Sequence, residues 1–181
     1  MVTPPAEISA LLENASCLYT AEEIEMAIES LAAKISVDFH DKNPILLPIM
    51  NGGLPTAASL MKRFKFPLQL DYIHLTRYRD STSGSDINWI YHPRLDLNDR
   101  AVILIDDLLD HGITLREAVS HCLERGAHSV STVVLVVKEL DHRPGLQTVD
   151  YFALRTPDKY LFGYGMDYKS YWRNAPGIFA V

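Results

Sequence analysis

Val102-Ile103-Leu104-Ile105-Asp106-Asp107-Leu108-Leu109-Asp110-His111-Gly112-Ile113-Thr114-Leu115 changes character halfway along, from aliphatic residues to carboxylates and then a glycine. Val102–Ile105 has the length and apolarity of a central buried strand. Adjacent carboxylates at the end of such a strand repel each other and lose hydration, so Asp106 and Asp107 need cations or hydroxyl donors to offset that cost. A sugar diol and Mg²⁺ would supply both. Asp110, His111, Gly112, Ile113 and Thr114 then open a helix with a glycine inside the turn. Free amides at a helix start, together with the Thr114 hydroxyl, form a pocket suited to a phosphate dianion. The whole string fits a sugar phosphate, with hydroxyls at the carboxylates and phosphate at the helix start.

Outward from this stretch, apolar strands and amphipathic helices alternate. Thr20 followed by Ala21-Glu22-Glu23 has the form of a capping box. Ile24, Ile28, Leu31 and Ile35 recur at helical spacing, which predicts a helix from about 20 to 39. Pro44–Met50 reads as a strand, Asn51-Gly52-Gly53 as a turn, and the next residues to about Phe64 as a helix. Leu68, Leu70 and Tyr72 alternate as a further strand. Residues 79–86 (RDSTSGSD) are small, polar and turn-forming, and are expected to form a mobile surface loop, closed by a short strand at Ile87–Tyr91. Thr114–Arg125 reads as a helix ended by Gly126, and Val130–Val137 as another buried strand. The expected fold is therefore α/β, a central parallel β-sheet flanked by helices, in one domain over residues 1–181. Ligands in such sheets sit beyond the carboxyl ends of the strands.

Composition narrows the function classes. With 48% hydrophobic residues over 181 positions, the chain can bury a sizeable core. Its net charge of -6 is spread along the chain and offers no basic stripe for nucleic acid. No apolar run approaches the roughly 20 residues needed to span a bilayer, and the amino terminus lacks a signal-peptide pattern. Cys17 and Cys122 match no zinc or redox spacing, which suits a reducing cytoplasm. Neither the P-loop pattern nor the dinucleotide glycine pattern occurs.

The Asp106–Thr114 string resembles the phosphoribosyl pyrophosphate signature of type I phosphoribosyltransferases, which usually ends in Asp-Thr-Gly-x-Thr. His111 stands where that family commonly has a hydroxyl residue, which removes one phosphate contact. Lys138 after the second buried strand, Lys159-Tyr160-Leu161-Phe162-Gly163-Tyr164-Gly165-Met166-Asp167-Tyr168, and Tyr171-Trp172-Arg173-Asn174 resemble, in order, segments of the hypoxanthine-guanine branch. The likeness runs from about Pro44 to Val181.

That resemblance implies a small hood over the sheet and a flexible active-site loop with Arg77 and Tyr78 at its base. It implies Mg²⁺-dependent transfer of a phosphoribosyl group from phosphoribosyl pyrophosphate to N9 of a 6-oxopurine, hypoxanthine or guanine. Asp110 would act as general base. Lys138 would donate to the purine O6, Tyr160 would lie against the ring, Leu108 would cover its other face, and the backbone at Leu161 would accept from the opposite edge. Asp167 and Asp106 would hold the metal, with Arg173 on the pyrophosphate. Asn51 and Gly52 fall in the family's pyrophosphate turn, where lysine is common before the glycines and a cis peptide at Met50–Asn51 is expected. The implied partners are these small substrates and further copies of the chain (a dimer or tetramer), without nucleic acid or membrane. A preference for xanthine or another base, and a non-catalytic nucleotide-sensing regulator of the same fold, are the alternatives. Trp89 and Tyr91 suit either an interface or burial within one subunit.

Overall fold

A computed structural model describes residues 4–77 and 87–181. In chain order the elements are α1 (Ala6–Asn14), β1 (Ser16–Thr20), α2 (Ala21–Phe39), β2 (Ile45–Pro48), α3 (Leu54–Met61), β3 (Gln69–Leu70), β4 (His74–Arg77), β5 (Ile87–Tyr91) and β6 (Ala101–Leu109). They continue as α4 (Ile113–Glu124), β7 (Ser129–Lys138), β8 (Tyr151–Thr156), β9 (Leu161–Phe162) and β10 (Gly177–Ala180).

The main sheet has the order β3-β2-β6-β7-β8, and every pair in it is parallel. Its central strands are buried on both faces, which is why they read as unbroken aliphatic runs rather than alternating ones. Leu46, Ile103, Ile105, Val133 and Leu135 face α2 and α3, packing on Ile28, Leu31, Ile35 and Leu60. Ile45, Leu47, Val102, Leu104 and Val134 face the other way, onto Leu115, Ala118 and Cys122 of α4.

Helix α2 starts where its capping box predicts. Thr20 Oγ1 accepts from the Glu23 amide, and Glu23 accepts from the Thr20 amide at 2.9 Å. Helix α4 runs one residue ahead of expectation at each end. Gly126, at φ +82°, closes it in the left-handed conformation that glycine adopts without strain.

Three differences from the sequence reading matter for the site. The central strand does not stop at Ile105. It continues to Leu109 because β7 keeps pairing with it (Asp106↔Val134, Leu109↔Val137), so the acidic pair lies on the strand itself rather than in a loop after it. The strand expected over Leu68–Tyr72 is only two residues long, with Ile73 forming a separate bridge to Ile49. Strands β1, β9 and β10, none of them anticipated, form an antiparallel sheet that ties the amino-terminal segment to the carboxyl-terminal one (Ser16↔Ala180) and supplies the hood.

Strands β4 and β5 form an antiparallel hairpin. It rests on α4 through Trp89, whose ring stacks on His92 at 4.6 Å and meets His121 at 4.3 Å. Arg77 ends β4, while Tyr78 and the 79–86 loop lie outside the described residues.

Candidate active site

Three chain segments meet closely at the carboxyl ends of β2 and β6. A Cβ on Gly52 would sit 2.0 Å from Asp107 Oδ2, and one on Gly165 would sit 2.2 Å from the Gly52 carbonyl oxygen. Glycine is required where a side chain or a second backbone approaches the main chain this closely. The Met50–Asn51 peptide is cis. Asn51 is exposed while Gly52 and Gly53 are buried, so the turn presents its asparagine outward above the acidic strand end.

Asp106 Oδ1 accepts from the Asp107 amide at 2.9 Å. Burial, reinforced by the neighbouring Asp107, pushes the Asp106 carboxyl well above the ordinary carboxylate range. Burial raises Asp107 as well, while Asp106 and the positive charge of Arg173 pull it back. These are carboxylates short of countercharge.

Asp106–Leu108 and Asp110–Leu115 line a cavity of about 240 Å³. Gly112, at φ +72°, turns the chain into α4 and leaves the helix start without a side-chain cap. Ile113 is buried and Thr114 half-buried at its first turn. His111 Nδ1 lies 3.0 Å from Asp110 Oδ2, so the imidazole leans on the carboxylate.

Lys138 ends β7 and is only 8% exposed. Its Nζ lies 3.4 Å from Asp110 Oδ1 and 3.4 Å from Asp158 Oδ1. Asp110 Oδ1 is buried and receives no hydrogen bond among the described residues. An unfilled acceptor beside a buried ammonium is a place for a ligand that donates to one and accepts from the other.

Asp158 was not legible in the sequence. It follows β8, which pairs with β7 at Lys138↔Thr156. The Thr156-Pro157-Asp158 turn was its one signal, and only the unanticipated strand brings that turn beside Lys138.

Tyr160 is 47% exposed, presents its ring at the surface, and donates its hydroxyl to the Asp167 carbonyl at 3.1 Å. Leu161 is buried and Leu108 half-buried, both on the α2–α3 side of the sheet. Asp167 and Arg173 differ from the expected arrangement. They are bound to each other, with Arg173 Nη2 at 2.6 Å from Asp167 Oδ1, and Arg173 Nη1 donates to the Gly165 carbonyl. A charge-assisted pair of this kind satisfies both groups until a ligand engages them.

No three metal-binding side chains converge among the described residues. Asp167 and Asp106 offer only hard oxygen donors, and Asp106 with its neighbour Asp107 is short of positive charge. These residues fit Mg²⁺, which takes one or two protein carboxylates and draws its other ligands from phosphate and water.

The 163–167 segment is held from behind. Tyr164, at φ +44°, donates its hydroxyl to Glu25 Oε1 at 2.8 Å and sits 2.8 Å from Ser59 Oγ. Arg63 closes the network on Glu25 and Glu29. Tyr164→Phe is expected to cost about 1–2 kcal/mol, a lost hydrogen bond to a charged group, read as a lower melting temperature.

The acid response should change too. Hydrogen bonds from Tyr164 and then Arg63 hold the Glu25 carboxyl below its ordinary value of 4.5. Its contribution to stability is therefore present above that value and lost as pH falls through the depressed one. The fall in melting temperature on acidification through this range should be shallower in Tyr164→Phe than in the parent chain.

Comparison with known proteins gives a consistent match. The family model described as "Phosphoribosyl transferase domain" covers residues 14–170, reaching further toward the amino terminus than the motifs do. The hypoxanthine-guanine phosphoribosyltransferase of Streptococcus pneumoniae is 32% identical over 171 residues, 93% of this chain and 94% of that protein. The hypoxanthine-guanine-xanthine phosphoribosyltransferase of Tritrichomonas foetus is 26% identical over 161 residues, 89% of this chain and 88% of that one. A crystal structure of hypoxanthine phosphoribosyltransferase from Staphylococcus aureus superposes with a TM-score of 0.88 at 25% identity, covering 95% of this chain and 94% of that one.

Proposed function

The chain belongs to the phosphoribosyltransferase family, and on that premise we propose that it salvages purines, moving the 5-phosphoribosyl group of phosphoribosyl pyrophosphate onto N9 of hypoxanthine or guanine. The observation that carries this reading is the buried Lys138 ammonium, 3.4 Å from an Asp110 oxygen that receives no hydrogen bond among the described residues. An ammonium only donates, so it suits the carbonyl at C6 of an oxopurine and not the amino group of adenine. The names of the relatives from Streptococcus pneumoniae and Tritrichomonas foetus point to the same bases.

In the reaction, the bond from the ribose C1 to pyrophosphate breaks and the bond to purine N9 forms. Asp110 takes up the proton that leaves N7 of the base, while the neighbouring Lys138 ammonium donates to the purine oxygen. Asp106 and Asp107 accept from the ribose hydroxyls, and the helix start at His111–Thr114 donates to the 5′-phosphate. Gly52 lets the backbone approach the pyrophosphate, and Arg173, released from Asp167, turns to the pyrophosphate oxygens. Tyr160 and Leu108 sandwich the base, with stacking worth roughly 1–3 kcal/mol. Asp167 and Asp106 would hold Mg²⁺, which when bound supplies positive charge against the phosphates. The same reading carries a homo-oligomer of two or four copies in a reducing cytoplasm, consistent with two free cysteines.

Incubation with phosphoribosyl pyrophosphate, Mg²⁺ and hypoxanthine should yield IMP and pyrophosphate in equal amounts. Folded protein that forms neither would refute the proposal. Chelation with EDTA is expected to lower turnover by at least about tenfold, since metal polarisation is worth several kcal/mol. The melting temperature of the free protein should stay unchanged, because no three metal-binding side chains converge among the described residues to hold the ion before substrate arrives.

A further inference from the structure

Residues 143–147 fold back along the loop that opens α4 and occupy one whole side of it. Arg143 Nε donates to the Asp110 carbonyl at 2.8 Å, the Gly145 amide to the His111 carbonyl at 3.0 Å, and the Leu146 amide to the Gly112 carbonyl at 2.9 Å. Arg116 from α4 returns a bond to the Pro144 carbonyl at 2.8 Å. The contact is backbone on backbone, and a Cβ on Gly145 would sit 2.2 Å from the Gly112 carbonyl carbon.

A trans peptide points its carbonyl and its amide in opposite directions. Fixing the carbonyls of residues 110, 111 and 112 on this strap therefore turns the amides of His111, Gly112 and Ile113 away from it, toward the cavity. None of these amides donates to a protein acceptor among the described residues.

Arg143 itself is unusual. It is 8% exposed and has no carboxylate within ion-pair distance among the described residues. Its guanidinium is held by the main-chain carbonyls of Asp110, Gln147 and Lys138. A buried charge without a counterion is costly, and here it lies directly behind a ring of free amides. A dianion in the cavity would complete the arrangement.

We propose that the 143–146 strap is the positioning element of the 5′-phosphate cradle, with Arg143 both orienting the loop carbonyls and supplying uncompensated positive charge behind the amides. Arg143 acts through the loop rather than by touching substrate, and its bond to the Lys138 carbonyl anchors the strap to β7. The inference rests on the phosphoribosyltransferase reading of the cavity.

The test separates phosphate from the rest of the nucleotide. Calorimetric affinities for IMP and, by displacement, for inosine are compared in the parent chain, Arg143→Lys, Arg143→Met and Gly145→Ala. The ratio of the two dissociation constants isolates what the phosphate adds. It should fall about tenfold or more in Arg143→Met and in Gly145→Ala, with a smaller fall in Arg143→Lys, as expected for lost charge-assisted hydrogen bonds. Inosine affinity should fall several-fold less than IMP affinity, since Arg143 reaches the purine-binding Asp110 and Lys138 only through their main-chain carbonyls.

An equal loss for IMP and inosine, or an unchanged ratio in all variants, would overturn the strap's role. If Arg143→Met does not fold, Arg143→Lys and Gly145→Ala still decide. A parent chain that binds IMP no more tightly than inosine would instead sink the phosphate reading of the cavity, and the strap with it.

Discussion

Asp110→Asn lowers kcat with phosphoribosyl pyrophosphate and hypoxanthine by about 10²–10⁴-fold, the usual span for a lost general base. The substitution keeps the shape and removes the proton affinity, together with one of the two carboxylates beside Lys138. Asparagine has the same shape, and the loop is held through the Asp110 carbonyl by Arg143 rather than through the carboxylate. The cradle amides should therefore keep their places, and KM for phosphoribosyl pyrophosphate should move only a few-fold. Two consequences distinguish this from a structural defect. The melting temperature should fall only modestly, because Lys138 loses Asp110 as an ion-pair partner but keeps Asp158 at 3.4 Å. The affinity for IMP, which has no proton left to give at N7, should stay close to that of the parent. Near-normal turnover would remove Asp110 as the base and leave the reaction to leaving-group activation alone.

Lys138→Gln should act on a different quantity. Its buried ammonium sits between Asp110 and Asp158, 3.4 Å from each. Glutamine keeps a donor but removes the charge and adds an acceptor. Removing the ammonium forfeits a charge-assisted hydrogen bond to the purine O6, worth up to about 3 kcal/mol. The kcat/KM for hypoxanthine is therefore expected to fall by about 10²-fold or more. Adenine, refused by a site that can only donate at C6, should gain ground relative to hypoxanthine. Comparing the two bases in parent and variant reads this directly. An unchanged ratio between them would mean that Lys138 does not read the C6 substituent.

The parts of this protein that sequence reasoning reached share a physical character. Strand β6 and helix α2 announce themselves locally, one by an unbroken aliphatic run buried on both faces, the other by a capping box and apolar residues at helical spacing. Asp106, Asp107 and Asp110 stood out because carboxylates at the end of a buried strand have no reason to be there from folding alone. What escaped depends on contacts between distant parts of the chain. The hood joins Ser16 to Ala180, and neither short strand carries enough pattern to be seen alone.

The Tyr164–Glu25 bond spans 139 positions. Asp158 and Arg143 look like ordinary surface charges until β8 is laid beside β7 and the strap folds back on the phosphate loop. The mutual pairing of Asp167 and Arg173 was hidden for a related reason. Motifs indicate which residues serve a ligand, but not how those residues satisfy one another without it.

The most direct measurement is kcat/KM for hypoxanthine, guanine, xanthine and adenine, each offered singly to the parent chain with phosphoribosyl pyrophosphate and Mg²⁺. Donor-only recognition at C6 predicts turnover of one or more oxopurines, with adenine poorer by about 10⁴-fold, as for sites built around a hydrogen bond that the analogue cannot make. Adenine used as well as the oxopurines, or no nucleotide formed from any of the four, would contradict the assignment of Lys138 and Asp110 as the pair that recognises and deprotonates the base.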